Sequence, residues 1–165
     1  MRHGENIGGP WDMTNNIKII KADSNTPPDI FSALSQLDKA AVGSDGWSEQ
    51  SFRSEAEKDN GYVLYVLIDG EAAALLTGYY ACGEGDITSV AVAPKYRRQG
   101  LAKALIARFE ELLPDDAEKL FLEVRQSNEN AAALYKKCGF EQISLRKNFY
   151  SDPRENAIVM MKAEV

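Results

Sequence analysis

Residues 87–102 read ITSVAVAPKYRRQGLA, and the character of the chain changes twice along this stretch. Its first six residues are β-branched, small or apolar, which is typical of a strand, and Pro94 ends that strand. Apolar residues then recur at helical spacing, which predicts an amphipathic helix over residues 99–113. The connection between this strand and this helix is therefore the first candidate for a binding site.

That connection has the features of an anion site. The N-terminus of a helix presents backbone N–H groups, and Gly100 allows an anion to approach the backbone closely. Arg97 and Arg98 add positive charge at the rim. The segment lacks the glycines of a dinucleotide fingerprint and the Gly-Lys-Ser/Thr of a nucleotide P-loop. Alone, it also fits a plain helix-start glycine beside solvated arginines, so both interpretations stay open at this point.

The flanking sequence predicts a mixed α/β chain. Apolar alternation and turn residues predict strands at 17–20, 62–68, 71–81, 87–92, 119–125, 140–145 and 157–161. Helical spacing predicts helices over 30–41, from Ser48, over 99–113, and from Ser127 or Asn128 to Gly139, with Asp29 capping the first. Asp69-Gly70 predicts a two-residue hairpin turn. We therefore expect a central sheet with an antiparallel N-terminal half, a parallel crossover and flanking helices.

Composition limits the function. The chain has 165 residues, 44% of them apolar and 27% charged, which suits one domain over residues 15–165 after a flexible leader at 1–14. The net charge of -6 argues against binding to nucleic acid. No apolar run is long enough to cross a membrane, and the leader has no apolar core of the signal-peptide kind. We therefore expect a cytoplasmic protein with no membrane or nucleic-acid partner.

The residue inventory also excludes common hydrolase chemistry. The single histidine, His3, lies in the leader, so neither a Ser-His-Asp mechanism nor a His-ligated zinc is available. Cys82 and Cys138 have no CxxC spacing, and we interpret them as small buried or half-buried fillers. No metal site is predicted. Any catalysis must use carboxylates, Tyr, Lys or backbone dipoles.

Two blocks together resemble a known family. The pattern Arg97-x-x-Gly100-x-Ala102 after residues 89–94 is similar to the acetyl-CoA motif of the GNAT superfamily of N-acetyltransferases. Residues 122–140, which read LEVRQSNENAAALYKKCGF, resemble the second hallmark of that superfamily. Residues 46–52 and 146–150 are similar to the bacterial branch that acetylates the N-terminal alanine of a small-subunit ribosomal protein. The resemblance implies the GNAT fold and acetyl-CoA as cosubstrate.

The resemblance also implies a set of site residues. Glu123 matches the general base and Tyr135 the general acid. Residues that match cofactor contacts are Val90, Ala91, Val92, Arg97, Arg98, Gln99, Gly100, Leu101, Ala102, Lys103, Asn128 and Tyr135. Two departures stand out, since Ala102 replaces a frequent glycine and Glu155-Asn156 replaces the Glu-Asp of the narrower branch. The second departure bears on the identity of the acceptor.

Residue chemistry alone leaves alternatives for each role. Glu123 shares a strand face with Phe121 and Arg125, so it could be a base or could pair with Arg125 or Lys119 at the sheet edge. Tyr135 could be a core residue of an amphipathic helix. For the acceptor we expect contacts from Trp47, Phe52 and Tyr150, with charge from Glu49 and Glu155, although Trp47 and Phe52 could equally staple a helix to the core.

Three functions therefore remain at this stage. The first is acetyl transfer to the N-terminal α-amine of a protein, the alanine of a small-subunit ribosomal protein. The second is acetylation of a small amine such as an amino acid, polyamine or aminoglycoside. The third is an acyl-CoA-binding sensor without turnover, against which the presence of both Glu123 and Tyr135 argues. In either enzyme, direct attack by the amine is expected because no positioned nucleophile is available.

Overall fold

The structure is a computed structural model that describes residues 17–165. The predicted leader at residues 1–14, with His3, lies outside the described residues. The helices are α1 (Pro28–Val42), α2 (Glu49–Ala56), α3 (Leu101–Leu112) and α4 (Glu129–Lys137). The strands are β1 (Ile19–Lys21), β2 (Gly61–Ile68), β3 (Glu71–Ala81), β4 (Glu84–Val92), β5 (Lys119–Arg125), β6 (Glu141–Ser151) and β7 (Arg154–Ala163). Short 3-10 turns lie at Gly43–Asp45 and Pro94–Tyr96.

All seven strands form one mixed sheet in the order β1-β2-β3-β4-β5-β7-β6. β1 to β4 are antiparallel neighbours, β4 and β5 are parallel, and β7 pairs antiparallel with both β5 and β6. The prediction of an antiparallel N-terminal half followed by a parallel crossover is confirmed. A parallel pair requires a long connection, and α3 provides it.

Helices cover the sheet on both faces. On one face α3 and α4 pack on apolar residues of the central strands, in a cluster that includes Leu64, Leu76, Leu105, Phe109 and Leu120. On the other face α1 and α2 pack on a second cluster that includes Phe31, Leu34, Phe52, Val63 and Leu75. Burial of each such side chain contributes about 1.5–3 kcal/mol to stability. The sheet is therefore held rigidly on both sides.

β4 and β5 separate before they end. Their register runs from Glu84 opposite Lys119 to Ile87 opposite Leu122, and no pairing between the two strands follows. β4 nevertheless continues to pair with β3 as far as Val92. A bulge in the β3–β4 ladder at the same level, between Thr77 and Gly78, increases the local twist and turns β4 away from β5. The result is an opening between residues 88–92 and 123–125.

Several element boundaries differ from the sequence prediction. Asp29 does not cap α1, because Pro27 is the N-cap and Pro28 supplies the first helical residue, where the fixed φ of proline fits well. α3 begins at Leu101 instead of residue 99 because Gly100 adopts the left-handed conformation. Cys82 is exposed in the β3–β4 turn and is not a buried filler.

Candidate active site

The opening exposes backbone donors of β4. The Ala93 N–H donates to the Ala73 carbonyl at 2.8 Å, which fixes the direction of the groups before it. Because N–H groups alternate along a strand, those of Val92 and Val90 point away from β3 and into the opening, whereas that of Ala91 points to β3. Val90 and Val92 are therefore the better-placed donors of the three predicted residues.

The loop after β4 is shaped for an anion. The Arg97 Nε donates to the Val92 carbonyl at 3.2 Å, so this side chain ties the loop to the end of β4. Arg98 and Gly100 have φ of 60° and 81°, a left-handed conformation that brings the chain sharply into α3. Gly100 is the N-cap and has no side chain to satisfy the first N–H groups of α3. Those groups, from Leu101 to Lys103, are available to a ligand that carries negative charge.

Gln99 provides a second indication of a ligand at this loop. Its Oε1 atom is buried and has no hydrogen-bond partner among the described residues. A buried polar atom without a partner costs free energy, and a donor group on a bound ligand would remove that cost.

Asn128 starts α4 on the other side of the opening. It is the N-cap of this helix, and its Oδ1 accepts a hydrogen bond from the Ala131 N–H at 3.2 Å. The prediction that Ser127 or Asn128 begins this helix is confirmed, with Asn128 in the capping position. Within residues 17–165 the Asn128 amide nitrogen has no partner, so it remains free to contact a ligand.

Glu123 lies on β5 at the opening and forms an ion pair with Arg146. The Arg146 Nη1 atom lies 2.5 Å from Glu123 Oε1, and the Glu123 side chain is 29% exposed. The predicted alternatives, Arg125 and Lys119, are not its partners, and β5 is not a sheet edge, because β7 pairs along its whole length. The ion pair uses one carboxylate oxygen and leaves Oε2 without a charged partner among the described residues.

A second carboxylate, Asp86, lies near Glu123. Asp86 on β4 pairs in register with Tyr79 on β3 and with Phe121 on β5. Burial, and then the charge of Glu123, raises the pKa of Asp86 to about 6, while a hydrogen bond with Tyr79 acts in the opposite direction. The charge of Asp86 is the largest cause of a raised pKa of Tyr79. The sequence analysis missed Asp86, and only its unusual place in an apolar strand could have signalled it.

Two tyrosines complete the polar end of the opening. Tyr135 on α4 is 8% exposed, and its ring packs edge-on against Phe140. Burial, with smaller effects of Tyr150 and Cys138, raises the pKa of Tyr135 to about 12. The pKa of Tyr150 on β6 is raised by burial and then by Glu123. Tyr150 therefore lies close enough to Glu123 and Tyr135 for electrostatic interactions among them to raise the pKa values of the two tyrosines.

Trp47 and Phe52 have different environments. Phe52 is fully buried in the cluster under α1 and α2, which makes it a core residue. Trp47 is half-buried, with its ring 5.5 Å from that of Phe52. The Trp47 backbone N–H donates to Asp38 Oδ2 at 2.8 Å, and Asp38 Oδ1 accepts from Ser89 Oγ at 2.5 Å. Asp38, a fully buried carboxylate that the sequence analysis missed, thus fixes Trp47 relative to β4.

Glu155 is already engaged within the chain. Its Oε1 accepts from the Ser127 N–H at 2.5 Å, and its Oε2 accepts from Arg125 Nη1 at 3.3 Å. Hydrogen bonding with Ser127 is the largest cause of a lowered pKa of Glu155. Glu49 is exposed in the first turn of α2. The expected direct contact of Glu155 with the acceptor stays a prediction, and in this structure its carboxylate joins β7 to the start of α4.

The profile of the family described as "Acetyltransferase (GNAT) family" matches residues 29–140, which is more than half of the chain. The chain belongs to the GNAT acetyltransferase family. Family membership makes it an acetyl-CoA-dependent N-acetyltransferase, as residues 87–102 and 122–140 predict.

Relatives and solved structures agree with this assignment. An Escherichia coli (strain K12) protein named "[Ribosomal protein bS18]-alanine N-acetyltransferase" is 39% identical over 122 residues, covering 69% of this chain and 78% of that protein. A Bacillus subtilis (strain 168) protein, provisionally given the same name, is 38% identical over 117 residues, covering 69% and 77%. The crystal structure of the E. coli ribosomal-protein-S18-alanine N-acetyltransferase matches with a TM-score of 0.75 at 31% identity, over 89% of this chain and 93% of that one.

The GNAT cosubstrate fits the residues present. An acetyl-CoA pyrophosphate needs an anion site, which the loop at residues 97–103 offers, and its amide-containing arm needs backbone partners, which the free edge of β4 offers. A GNAT structure from Elizabethkingia anophelis contains bound acetyl-CoA and matches this fold with a TM-score of 0.68. Within residues 17–165, no group of three or more metal-ligating side chains occurs, and no helix has the length and apolar character to cross a membrane.

Proposed function

We propose that this GNAT enzyme transfers the acetyl group to the N-terminal α-amine of a protein, the alanine of a small-subunit ribosomal protein. The observation that carries the proposal is the position of Tyr150, whose ring stacks on Arg125 of β5, two residues from Glu123, and whose pKa the charge of Glu123 helps to raise. An acceptor held by Tyr150 would present its amine between a base and an acid. The names of the E. coli and B. subtilis relatives support the choice of acceptor. Such a substrate would place the enzyme in the cytoplasm.

The donor side would be held by backbone groups. In this proposal the pyrophosphate lies on residues 98–103, with Arg97 supporting the loop from below and Asn128 reaching the ligand from α4. Acetyl-CoA supplies an activated acyl group, whose thioester carbonyl carbon the amine attacks. The Val92 N–H, which points into the opening, would donate to the oxygen that gains negative charge during the attack.

Glu123 would act as the general base. Its Oε1 is held by Arg146, so Oε2 is the atom left to accept the proton that the amine loses, directly or through one water molecule. The side chain is 29% exposed, which allows it to reach a solvated amine while the strand fixes its direction. The new carbon–nitrogen bond forms as this proton leaves.

Tyr135 would act as the general acid. When the carbon–sulfur bond breaks, the departing thiolate needs a proton, and the Tyr135 hydroxyl would supply it. Burial holds the pKa of Tyr135 at about 12, so the phenol is fully protonated at neutral pH, which is the state that a proton donor requires. Its ring is fixed by packing against Phe140, so the hydroxyl has a defined position.

The acceptor would lie between two aromatic side chains. Trp47 on one side and Tyr150 on the other are both partly buried, and each is fixed by neighbours within the chain. Asp45 and Glu155 are both paired with Arg125, so the exposed Glu49 in the first turn of α2 is the acidic group that would favour a peptide with basic residues. Glu155 would act here mainly by holding Ser127 and Arg125 in place.

Thiol release from acetyl-CoA tests the proposal directly. The full chain is assayed with basic peptides that begin with Ala, with the same peptides carrying a blocked N-terminus, and with a panel of polyamines, amino acids and aminoglycosides. We expect turnover on the free Ala peptides only. Turnover restricted to a small amine contradicts the proposed acceptor, and tight acetyl-CoA binding without any turnover would favour the sensor function.

A further inference from the structure

We propose that Arg125 is a positioning residue for the acceptor, an inference that rests on the proposed function. By this proposal Arg125 sets the separation of two walls of the acceptor site, the turn at Gly43–Asp45 and the β6–β7 hairpin. It would do so without touching the reacting atoms. The proposal goes beyond the base, acid and cofactor loop, because it assigns a specificity role to a residue outside all three.

Arg125 is bound to the β6–β7 hairpin by several contacts. Its Nη1 donates to the Pro153 carbonyl at 3.0 Å and to Glu155 Oε2 at 3.3 Å, and its Nη2 donates to the Asp152 carbonyl at 3.2 Å. The guanidinium carbon lies 4.2 Å from the centre of the Tyr150 ring. The Arg125 side chain is only 19% exposed, and its contact with Glu155 is partly buried.

The same guanidinium reaches the opposite wall. Arg125 Nη2 lies 3.4 Å from Asp45 Oδ2, in the short turn that joins α1 to α2. A second hydrogen bond lies nearby, in which Ser44 Oγ of the same turn donates to Asp152 Oδ2 at 3.0 Å. Among residues 17–165 the Ser44–Asp152 hydrogen bond joins the turn directly to the hairpin, and Arg125 on β5 joins them indirectly through Asp45 and Asp152.

The bridge controls both aromatic candidates for acceptor binding. Trp47 lies two residues after Asp45, and its backbone is fixed from the other side by Asp38. Tyr150 stacks directly on Arg125. A change in the bridge would therefore alter the separation of Trp47 and Tyr150, while Asp38 would keep β4 and the donor side in place.

Only arginine can make this bridge. Its planar guanidinium presents donors in fixed directions, so that one nitrogen serves Pro153 and Glu155 while the other serves Asp152 and Asp45. A lysine at this position has one nitrogen, which could satisfy one wall but not both. The variant Arg125→Lys therefore distinguishes a geometric role of the guanidinium from a simple requirement for positive charge.

Steady-state kinetics of the full chain test the inference. Arg125→Ala, Arg125→Lys and Asp45→Ala are compared with Arg108→Ala, which removes an exposed Arg108–Glu111 pair on α3. We expect Arg125→Ala to raise the acceptor KM roughly 10- to 100-fold, since small misplacements of a substrate are costly. The KM for acetyl-CoA and the kcat at saturating acceptor should stay within about twofold, and added guanidinium ion should lower the acceptor KM again.

The other variants complete the test. Arg125→Lys should stay closer to Arg125→Ala than to the wild type, Asp45→Ala should raise the acceptor KM by a smaller factor, and Arg108→Ala should change neither KM. Asp45 is exposed, so its replacement remains informative if Arg125→Ala does not fold.

Two results would overturn the inference, namely an unchanged acceptor KM or an equal rise in both KM values. Failure of the wild type to acetylate any peptide, with turnover of a small amine, would overturn the proposed acceptor instead.

Discussion

The Glu123 carboxylate and the Arg146 guanidinium form an ion pair across β5 and β6, with 2.5 Å between Oε1 and Nη1. β7 lies between these strands in the sheet, so the pair spans a full strand. The Arg146 side chain is 56% exposed and also lies over the Phe149 ring. An exposed pair contributes about 0–1 kcal/mol to stability, so this contact does not explain by itself why a carboxylate occupies the opening.

Replacement of each partner separates catalysis from pairing. Glu123→Gln and Arg146→Met both break the ion pair, but only the first removes the proposed base. We expect Glu123→Gln to lower kcat by roughly 10²- to 10⁴-fold with acetyl-CoA affinity retained, and Arg146→Met to lower it far less. The measurements are thiol release for kcat and calorimetry for acetyl-CoA binding. An equal loss of kcat in the two variants would mean that Glu123 acts only through its ion pair with Arg146 and not as a base.

Tyr135→Phe removes the proposed acid and keeps the ring. We expect kcat to fall roughly 10²-fold or more, since a positioned proton donor is lost. Packing against Phe140 should persist, so the melting temperature should change little. Because the pKa of Tyr135 is about 12, loss of its proton should not limit the wild-type rate anywhere between pH 6 and pH 10. Normal turnover by Tyr135→Phe would exclude the acid role.

Sequence patterns predict most of the fold because the strands alternate strongly or are continuously apolar. β3 and β5 have the predicted bounds, and Asp69 and Gly70 adopt the positive φ values that a hairpin turn of this kind needs. β6 and β7 are longer than predicted, since the polar residues 146–148 hide the continuation of β6. Those residues lie where the β6–β7 register shifts, so simple alternation does not hold there.

Sequence patterns predict less of the site than of the fold. The anion loop is local, so its geometry follows from a strand, a glycine and a helix in succession. The partners of Glu123 and Trp47 come from distant segments, Arg146 and Asp38, and no spacing rule connects them. The pKa of Asp86 is raised by burial and by a neighbouring charge, and both depend on tertiary packing.

Asp86 predicts how stability depends on pH. Its pKa rises from the usual 3.8 to about 6 in the folded protein, so the folded state holds the proton more tightly. The unfolding free energy should therefore fall as the pH rises from about 4 to about 6. Asp86→Asn removes this effect, and we expect the variant to be more stable than the wild type at pH 7 by about 1–2 kcal/mol after allowance for solvent screening.

Urea unfolding at several pH values measures this difference. The advantage of Asp86→Asn should vanish below about pH 4, where the wild-type carboxyl is protonated in both states. Glu141→Gln is the matched control, because Glu141 is an exposed carboxylate on β6 and is not among the groups that raise the pKa of Asp86. A constant difference between Asp86→Asn and the wild type across the pH range would contradict a raised pKa.

Gly100→Ala tests the anion loop, and the chain provides a matched control in Gly70. Both glycines have positive φ, 81° and 78°, so an added Cβ should cost each about 1 kcal/mol of stability. A Cβ at Gly70 meets no atom within 4 Å and lies far from the loop in sequence, in the β2–β3 turn. We expect Gly100→Ala alone to weaken acetyl-CoA binding, by roughly tenfold if about 1.4 kcal/mol of backbone contact is lost. Calorimetric titration of both variants with acetyl-CoA decides the matter, since equal affinities would place the pyrophosphate away from the start of α3.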